Sequence, residues 1–384
     1  MIFMLHIFQD LFTQIKGRFS KNNKRNYKFA FLVHSRNYKD IFRKFPFLKR
    51  VPKPLILFFM KHLWPISLSK VTGVKSSRNG MAMEGYVLGI TMTADQMLNN
   101  RSYALKKIRQ ALYLARGKGV NMIGLGGLTS SLSKGGLDLL DIDINITTGH
   151  AYTAYNVCQN LFKMTETIDV PKEKLKVSIV GAAGSVGSIS SLLVGREGYG
   201  TLVLIDLKRK HTVFEGLYKK IKDLNPNIEI VVSDNMKDIK GSDFIITATN
   251  TSEALVTTDL VEDGMILIDD AQPSDIHPDV LKMENVLVLE AGVVNTPEIN
   301  SNFNYGLKNR TDNFCCMAEL LILASFEWRS NYVINRATLD HIDLISDMGK
   351  KLNFDLASFQ NFMESISHDK IERIKDILRK KHGF

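Results

Sequence analysis

The chain has 384 residues, of which 45% are hydrophobic and 23% are charged, so a disordered, collagen-like or low-complexity protein is excluded. Three cysteines are too few for a disulfide scaffold and indicate a reducing compartment. No apolar run reaches the roughly 18 residues of a membrane span, and the opening segment lacks the basic lead of a secretory signal. We therefore expect a cytoplasmic protein of two or three domains.

Positive charge is concentrated at the start of the chain. Residues 1–80 contain 17 Lys and Arg against two acids, Asp10 and Asp40, a net charge of +15, whereas the whole chain carries +10. We interpret 1–80 as a basic amphipathic arm whose partner is an anionic membrane surface or an acidic protein, with a solvated face as the alternative. Nucleic acid is not expected, because no DNA- or RNA-binding motif accompanies the charge.

Within this arm, apolar residues predict a short amphipathic helix inside 1–25, which continues into a polar stretch. Its apolar positions are Leu5, Phe8, Leu11, Phe12 and Ile15. Aromatic and basic residues alternate over 38–66, a composition typical of an interfacial helix or hairpin that lies on a bilayer. A core helix pair with basic outer faces is the alternative.

Residues 81–169 follow an α/β pattern that we interpret as a substrate domain. Strands are predicted at 86–91, 121–125 and 142–146, and a helix at 93–116. A turn, Thr147-Thr-Gly-His150, then leads into another helix. Residues 170–300 read as a doubly wound, Rossmann-type nucleotide domain with buried parallel strands. Those strands are predicted at 175–180, 201–205, 228–232, 243–247, 265–269 and 286–290.

The turn after the strand at 175–180 is rich in glycine, and a helix is expected from Ser188. Glycines at these positions allow a tight turn, a close approach of the backbone to a pyrophosphate and close helix packing. The predicted cofactor-binding residues of this turn are Gly181, Ala183, Gly184, Ser185, Val186 and Gly187.

The next strand ends at an acid, Asp206, which favours the ribose hydroxyls of NAD. Lys208, Arg209 and Lys210 follow it and favour the 2′-phosphate of NADP. The two signals conflict. Thr247, Ala248 and Thr249 end the fourth strand and are placed to line the nicotinamide side.

The last region, 301–384, is predicted to be helical and to carry the nucleophile. Cys315 and Cys316 lie where a helix begins, and a thiol there has a lowered pKa and greater nucleophilicity. Two buried apolar cysteines are the alternative at this position. Cys158 lies in an apolar helical stretch and is interpreted as a core residue. The sequence predicts no metal site.

Several strings resemble those of the long-chain fatty acyl-[acyl-carrier-protein] reductases, which form aldehydes. The resemblance runs in order and spacing over 81–330 and, less specifically, from Phe29. The matching strings are Gly124-Leu-Gly-Gly127, Thr147-Thr-Gly149 with Tyr152-Thr-Ala154, Val177-Ser-Ile-Val-Gly-Ala-Ala-Gly-Ser-Val-Gly187, Glu290-Ala-Gly-Val-Val294 and Cys316-Met-Ala-Glu319.

The resemblance implies a two-step reduction of an acyl thioester, carried by acyl carrier protein or by CoA, with NADPH as reductant and Cys316 as nucleophile. Asp206 departs from it, since a strand end without an acid is expected there, so NADH stays open. His150 is a candidate general acid or hydrogen-bond donor, or else a structural residue. Two other functions remain: a dehydrogenase of the shikimate or saccharopine kind without covalent catalysis, and a non-catalytic nucleotide-binding protein at a membrane surface.

Overall fold

The computed structural model describes residues 2–20, 26–251, 253–271, 273–362 and 364–384. Two compact units make up this part of the chain. The first unit comprises Met1–Gly149, Asn295–Asn335 and Asp347–Phe354, and the second comprises His150–Val294, Arg336–Ser346 and Asp355–Phe384. Both units are mixed α/β structures, as the sequence predicted.

The elements up to residue 149 are, in chain order, α1 (Ile2–Phe19), β1 (Lys28–Ser35), α2 (Ile41–Lys44), α3 (Lys53–His62), β2 (Ile66–Val71), β3 (Glu84–Thr93), α4 (Ala94–Asn99), α5 (Arg101–Gly117), β4 (Met122–Leu125), α6 (Leu128–Leu132) and β5 (Asn145–Thr147). Those that follow are α7 (His150–Ile168), β6 (Lys176–Val180), α8 (Ser185–Glu197), β7 (Thr201–Ile205), α9 (Thr212–Leu224), β8 (Glu229–Ser233), β9 (Phe244–Thr247), β10 (Ile266–Asp269), β11 (Leu287–Glu290), β12 (Val293–Asn295), β13 (Asp312–Phe314), α10 (Cys315–Ser325), α11 (Leu339–Lys351), β14 (Asp355–Leu356) and α12 (His368–Lys381).

The first unit is built on a five-stranded sheet in the order β2-β3-β1-β4-β5. Strands β3, β1, β4 and β5 are parallel, and β2 pairs antiparallel with β3 at one edge. The central strand β1 contains the apolar run Phe29-Ala-Phe-Leu32, which is buried because both faces of a covered parallel sheet exclude water. Helix α5 contributes Ile108, Ala111 and Leu112 to the same core.

The second unit contains a six-stranded parallel sheet in the order β11-β10-β9-β6-β7-β8. From β6 the chain runs outward to β7 and β8, then returns to the other side for β9, β10 and β11. This reversal makes the carboxyl ends of β6 and β9 a topological switch point, where open α/β sheets bind their ligands. The strands are short and apolar, as predicted, and their side chains form buried layers on both faces.

Three boundaries differ from the sequence-based expectation. A separate arm over 1–80 is not found, because β1 pairs with β3 and β4 at the centre of the first sheet. The second unit begins at His150 rather than near 170, because α7 packs on the nucleotide sheet. Region 301–384 is divided between the units.

Local elements also differ in detail. Helix α8 begins at Ser185 and not at Ser188, since the glycine turn is tight enough to start the helix directly after Gly184. Residues 38–66 contain the helices α2 and α3, which agrees with the expected helix and not with the expected hairpin. Helix α1 agrees with the predicted amphipathic helix, while the Leu5 side chain and residues 21–25 lie outside the part that is described.

Glycine allows α1 to lie directly against α5. A Cβ at Gly17 would be 1.8 Å from the Tyr113 carbonyl oxygen, and a Cβ at Gly117 would be 2.1 Å from the Thr13 carbonyl oxygen. Backbone meets backbone at this crossing, so neither helix can yield by a side-chain rotation.

We predict that Gly17→Ala destabilises the first unit by about 1–3 kcal/mol, because the added methyl group overpacks the α1–α5 crossing. Urea unfolding followed by tryptophan fluorescence measures this, since Trp64 and Trp328 both belong to the first unit. Gly216→Ala in α9 is the control, because a Cβ there would meet no atom of the described residues within 4 Å. An unchanged transition in Gly17→Ala would contradict the close crossing.

Candidate functional site

The candidate nucleophile lies at the start of α10. Cys316 is the second residue of this helix and is half-buried, whereas Cys315 is buried. Helix α10 packs on β4 and β1, and a Cβ at Gly124 would be 3.1 Å from the Leu320 Cβ. The helix therefore lies close to the sheet, and its N-terminus holds Cys316 where backbone N–H groups and the helix dipole favour a thiolate.

Gly149, which follows β5, lies against Cys316. Its φ is +81°, and a Cβ at this position would be 2.3 Å from the Cys316 Cβ and 2.5 Å from the Cys316 Cα. A side chain is therefore excluded both by the backbone conformation and by space. This contact brings together two of the strings that carry the family resemblance, Thr147-Thr-Gly149 and Cys316-Met-Ala-Glu319.

A buried carboxylate fixes this arrangement. Glu319, one turn after Cys316, is fully buried. It accepts hydrogen bonds from the Thr147 hydroxyl and, at 3.0 Å, from the Gly149 N–H. A carboxyl group buried inside a protein requires such partners, because burying it without hydrogen bonds costs several kcal/mol. Glu319 thus ties the turn after β5 to α10.

A histidine that the sequence analysis missed lies at the end of β1. The Leu128 N–H donates to His34 Nε2 over 3.1 Å, so the proton is on Nδ1, which lies 3.2 Å from the Ser35 carbonyl oxygen. Burial lowers the His34 pKa, so the imidazole is neutral at pH 7. The run Phe29–Val33 was the available signal, because a strand recognised there would have placed His34 at the carboxyl edge of the sheet.

A second missed residue, Tyr305, is held near the thiol. Arg36 and Arg43 donate to its carbonyl oxygen over 3.3 Å and 2.9 Å. Its hydroxyl lies 3.3 Å from the Met317 sulfur. Burial raises the Tyr305 pKa, and so does the charge of a Cys316 thiolate, so the ring lies within electrostatic reach of the nucleophile.

The second unit holds the candidate dinucleotide site at the glycine turn. Gly181 has a φ of +84°, and a Cβ there would be 2.6 Å from the Ala248 carbonyl oxygen. A Cβ at Gly187 would be 2.3 Å from the Gly181 carbonyl oxygen, and one at Gly184 would be 3.0 Å from it. Between Gly181 and Gly184 the turn carries no side chain larger than a methyl group, and it opens onto the N-terminus of α8. A pyrophosphate fits such a cradle.

Asp206 ends β7, as predicted, but its carboxylate is turned toward the protein. It accepts from the Ala183 N–H at 3.0 Å and from the Leu207 N–H at 2.8 Å. Lys210 forms an ion pair with it at 3.1 Å. Lys208 and Arg209 remain exposed beside it. The Asp206 carboxylate therefore stabilises the glycine turn through the Ala183 N–H, and Lys210 balances its charge.

The Thr247-Ala-Thr249 segment lies at the carboxyl end of β9, and both threonine hydroxyls are hydrogen-bonded to buried acids. Thr247 donates to Asp269 at 2.7 Å, and Thr249 donates to Asp275 at 2.6 Å. Burial is the main cause that raises the pKa of Asp275, to about 6, and of the neighbouring Asp270 well above its usual value. The carboxyl end of β9 therefore lies beside carboxyl groups with raised pKa values, whereas the sequence indicated only the threonines there.

A cation also reaches the glycine turn. Arg336, outside every predicted motif, donates to the Ala183 carbonyl at 3.1 Å and lies 3.4 Å from the Ser188 hydroxyl. Its guanidinium adds positive charge beside the N-terminus of α8, where an anionic ligand would sit. Only tertiary structure brings it there, because 148 positions separate it from Ser188.

The predicted site residues thus form two groups. Cys316 lies in the first unit with Gly149 and Glu319. The glycine turn, Asp206, Lys208, Arg209 and the Thr247–Thr249 segment lie in the second. His150 is the half-buried first residue of α7 and belongs to the second unit. Cys158 is buried in α7, which raises its pKa to about 12.

The nucleotide unit matches a known family. Residues 165–291 match the family model described as shikimate/quinate 5-dehydrogenase. This region contains the glycine turn, Asp206 and the Thr247–Thr249 segment. Together with the strand order, the match defines the class: the chain has the fold of a nicotinamide-dinucleotide-dependent dehydrogenase or reductase.

Particular relatives cover more of the chain. The chain is 22% identical to the aminotransferase PigE of a Serratia strain, over 91% of this chain and 42% of that protein. It is 24% identical to long-chain acyl-[acyl-carrier-protein] reductase of Synechococcus elongatus over 67% of this chain and 79% of that one. It is 20% identical to glutamyl-tRNA reductase of Staphylococcus aureus over 59% and 50%. The chain thus spans half or less of the length of two of these relatives.

We predict that one thiol per chain reacts rapidly with a disulfide reagent such as Ellman's reagent, because Cys316 is half-buried while Cys158 and Cys315 are buried. Absorbance at the thiolate product gives the count. Cys316→Ser should remove the fast phase, and Cys158→Ser and Cys315→Ser should keep it. Loss of the fast phase in Cys315→Ser instead would contradict the prediction, because the accessible thiol would then be Cys315.

Proposed function

We propose that this protein reduces a long-chain fatty acyl thioester to the fatty aldehyde through an acyl-enzyme on Cys316. The observation that carries the proposal is the half-buried thiol at the start of α10, packed against Gly149 and held there by Glu319. A dehydrogenase that acts without a covalent intermediate has no use for such a thiol. The similarity to long-chain acyl-[acyl-carrier-protein] reductase supports the choice of substrate.

In the first step the Cys316 thiolate attacks the thioester carbonyl. A new carbon–sulfur bond forms, and the carrier thiolate leaves and takes up a proton. One thioester replaces another, so the exchange is close to isoenergetic. The oxyanion of the tetrahedral intermediate requires donors, and the first turn of α10 presents backbone N–H groups on the side of Cys316. The carrier is acyl carrier protein or CoA.

In the second step the acyl carbon is reduced, the hemithioacetal oxygen re-forms a carbonyl, the Cys316–carbon bond breaks, and aldehyde leaves. A nicotinamide dinucleotide held at the glycine turn would supply the hydride. Cys316 returns to the thiolate without a proton change at sulfur. We assign to His150 the role of hydrogen-bond donor or general acid toward the carbonyl oxygen.

The cradle at Gly181, Gly184 and Gly187 would hold the pyrophosphate, with Arg336 as a counter-charge. We propose NADPH as the reductant. Asp206 is balanced by Lys210 and engaged by the Ala183 N–H, so it opposes a 2′-phosphate less than a free carboxylate would. Exposed Lys208 and Arg209 follow it and would bind that phosphate.

A second candidate is a dehydrogenase of the shikimate or quinate kind, in which hydride passes to a non-covalently bound substrate. The match of residues 165–291 to that family favours it. The match covers the nucleotide unit only, whereas Cys316 and Gly149 lie in the first unit. The two candidates share the cofactor site and differ in their need for the thiol.

We predict that Cys316→Ser lowers aldehyde formation from a long-chain acyl thioester at least about 1,000-fold, since the loss of a covalent nucleophile costs several orders of magnitude. Intact-protein mass spectrometry should show an acyl adduct on the wild-type chain, and none on this variant. Nucleotide binding, followed by nicotinamide fluorescence, should persist, because the glycine turn is untouched.

Cys315→Ser is the matched control and should keep most of the activity, because that side chain is buried and neighbours at about 100° around a helix cannot face one substrate. Reversed outcomes would place the nucleophile on Cys315. Full activity in both variants would refute the covalent mechanism and would mean that hydride passes to a non-covalently bound substrate.

We also predict that Arg209→Ala raises the KM for NADPH about tenfold and leaves the KM for NADH nearly unchanged, because the guanidinium is proposed to bind the 2′-phosphate. Steady-state kinetics with both reductants measures the ratio. Arg196→Ala is a control, as Arg196 pairs with Asp343 at 2.9 Å at the far end of α8. Equal effects on both reductants would refute the assignment.

A further inference from the structure

Helix α1 exposes its apolar residues. Phe8, Phe12, Ile15 and Phe19 recur every three or four positions and so form one stripe along the helix. Phe12 is 69% exposed and Phe19 is 81% exposed. Isolated surface phenylalanines are common, but an ordered stripe along one helix marks a surface that contacts another apolar phase.

Two polar residues of the same helix, Asp10 and Gln14, are buried. Asp10 is 5% exposed and accepts hydrogen bonds from the Ser67 N–H at 2.7 Å and from the Ser67 hydroxyl at 3.0 Å. Lys118 forms an ion pair with it at 3.0 Å. Gly17 lies against the Tyr113 backbone. The helix is thus held to the unit by the side that carries Asp10, Gln14 and Gly17, and its stripe of phenylalanines faces away.

Helix α3 adds a second apolar surface in the same unit. Leu55, Phe58 and Phe59 are exposed there, whereas Ile56 and Met60 pack inward. Trp64, just after α3, joins the two helices, because its Nε1–H donates to the Ile7 carbonyl at 2.8 Å and its ring lies 5.7 Å from the Phe8 ring.

Basic side chains accompany both helices. Lys16 and Arg18 lie near the end of α1, and Lys49 and Arg50 precede α3; all four are exposed. Within the described part of the chain, none of the four lies within 4 Å of a carboxylate oxygen. Their charge is therefore available to an anionic partner.

We propose that α1 and α3 bind the surface of a bilayer that contains anionic lipids. Phenylalanine side chains enter the boundary between headgroups and acyl chains, and the lysines and arginines contact the headgroups. Among the described residues no helix is long and apolar enough to cross a bilayer.

Charge favours a bilayer over a second copy of the chain. Two copies joined at this face would bring together two segments that each carry +15 over residues 1–80. An acidic protein would satisfy the charge, but it would leave the stripe of exposed phenylalanines to be matched by apolar residues of its own. An anionic bilayer supplies both chemistries at once.

The test is co-sedimentation of the full chain with vesicles of phosphatidylcholine, with and without 30% phosphatidylglycerol. Binding should require the anionic lipid and should weaken at least about tenfold at high salt. Phe12→Ser with Phe19→Ser should weaken binding at least about tenfold at low salt, because two aromatic side chains that would be buried in the bilayer are lost. Lys16→Glu with Arg18→Glu should weaken it similarly.

Leu224→Ser with Leu344→Ser is the matched control, since both leucines are exposed in the second unit, and it should bind like the wild type. Circular dichroism checks that each variant folds. Absent binding of the wild type, or unchanged binding in the phenylalanine variant, would overturn the proposal. So would sedimentation equilibrium that shows a wild-type dimer dissociated by that variant, or binding to acyl carrier protein but not to vesicles.

Discussion

The position of the candidate nucleophile depends on one buried carboxylate. Glu319 accepts from the Thr147 hydroxyl and the Gly149 N–H, and so joins the turn after β5 to the helix that carries Cys316. Burial of a carboxylate is costly, and the turn that satisfies it must be held closely. Because Gly149 has no side chain, that turn comes within van der Waals contact of the thiol-bearing residue. The thiol therefore has a defined place in a helix that is otherwise largely apolar.

In the nucleotide unit, too, a buried acidic side chain fixes a turn by accepting its backbone N–H groups. Asp206 stands where many dinucleotide folds bind a ribose, yet here its oxygens accept backbone N–H groups of the glycine turn and of the next residue. The same carboxylate that suggests NAD in the sequence thus contributes to the shape of the glycine turn. Its neighbours Lys208 and Arg209 face solvent, whereas Asp206 is buried. The charge pattern in the sequence does not show this difference and therefore gives conflicting signals about the cofactor.

Much of the α/β order could be predicted from the sequence, because buried parallel strands are short apolar runs between helices of clear periodicity. The prediction of a basic arm over 1–80, apart from the α/β substrate domain, differs from the structure for a physical reason. The excess of basic residues masked β1, whose apolar run Phe29-Ala-Phe-Leu32 is central to the first sheet. With β1 unrecognised, His34 at its carboxyl end could not be placed near Gly127. The helix α1 was predicted, but the burial of its Asp10 and Gly17 side could not be.

By itself the sequence determined the strand and helix succession, the glycine turn before α8 and the presence of a cysteine at the start of α10, since each follows from residues close together in the chain. Tertiary structure decided which distant residues meet. Arg336 reaches the glycine turn from 153 positions away, and Glu319 reaches Gly149 from 170. It also decided which face of α1 is buried, because a periodic pattern of phenylalanines is the same whether the stripe faces inward or outward. The Asp10–Lys118 ion pair and the glycine crossing with α5 hold the side of Asp10 and Gly17 inward.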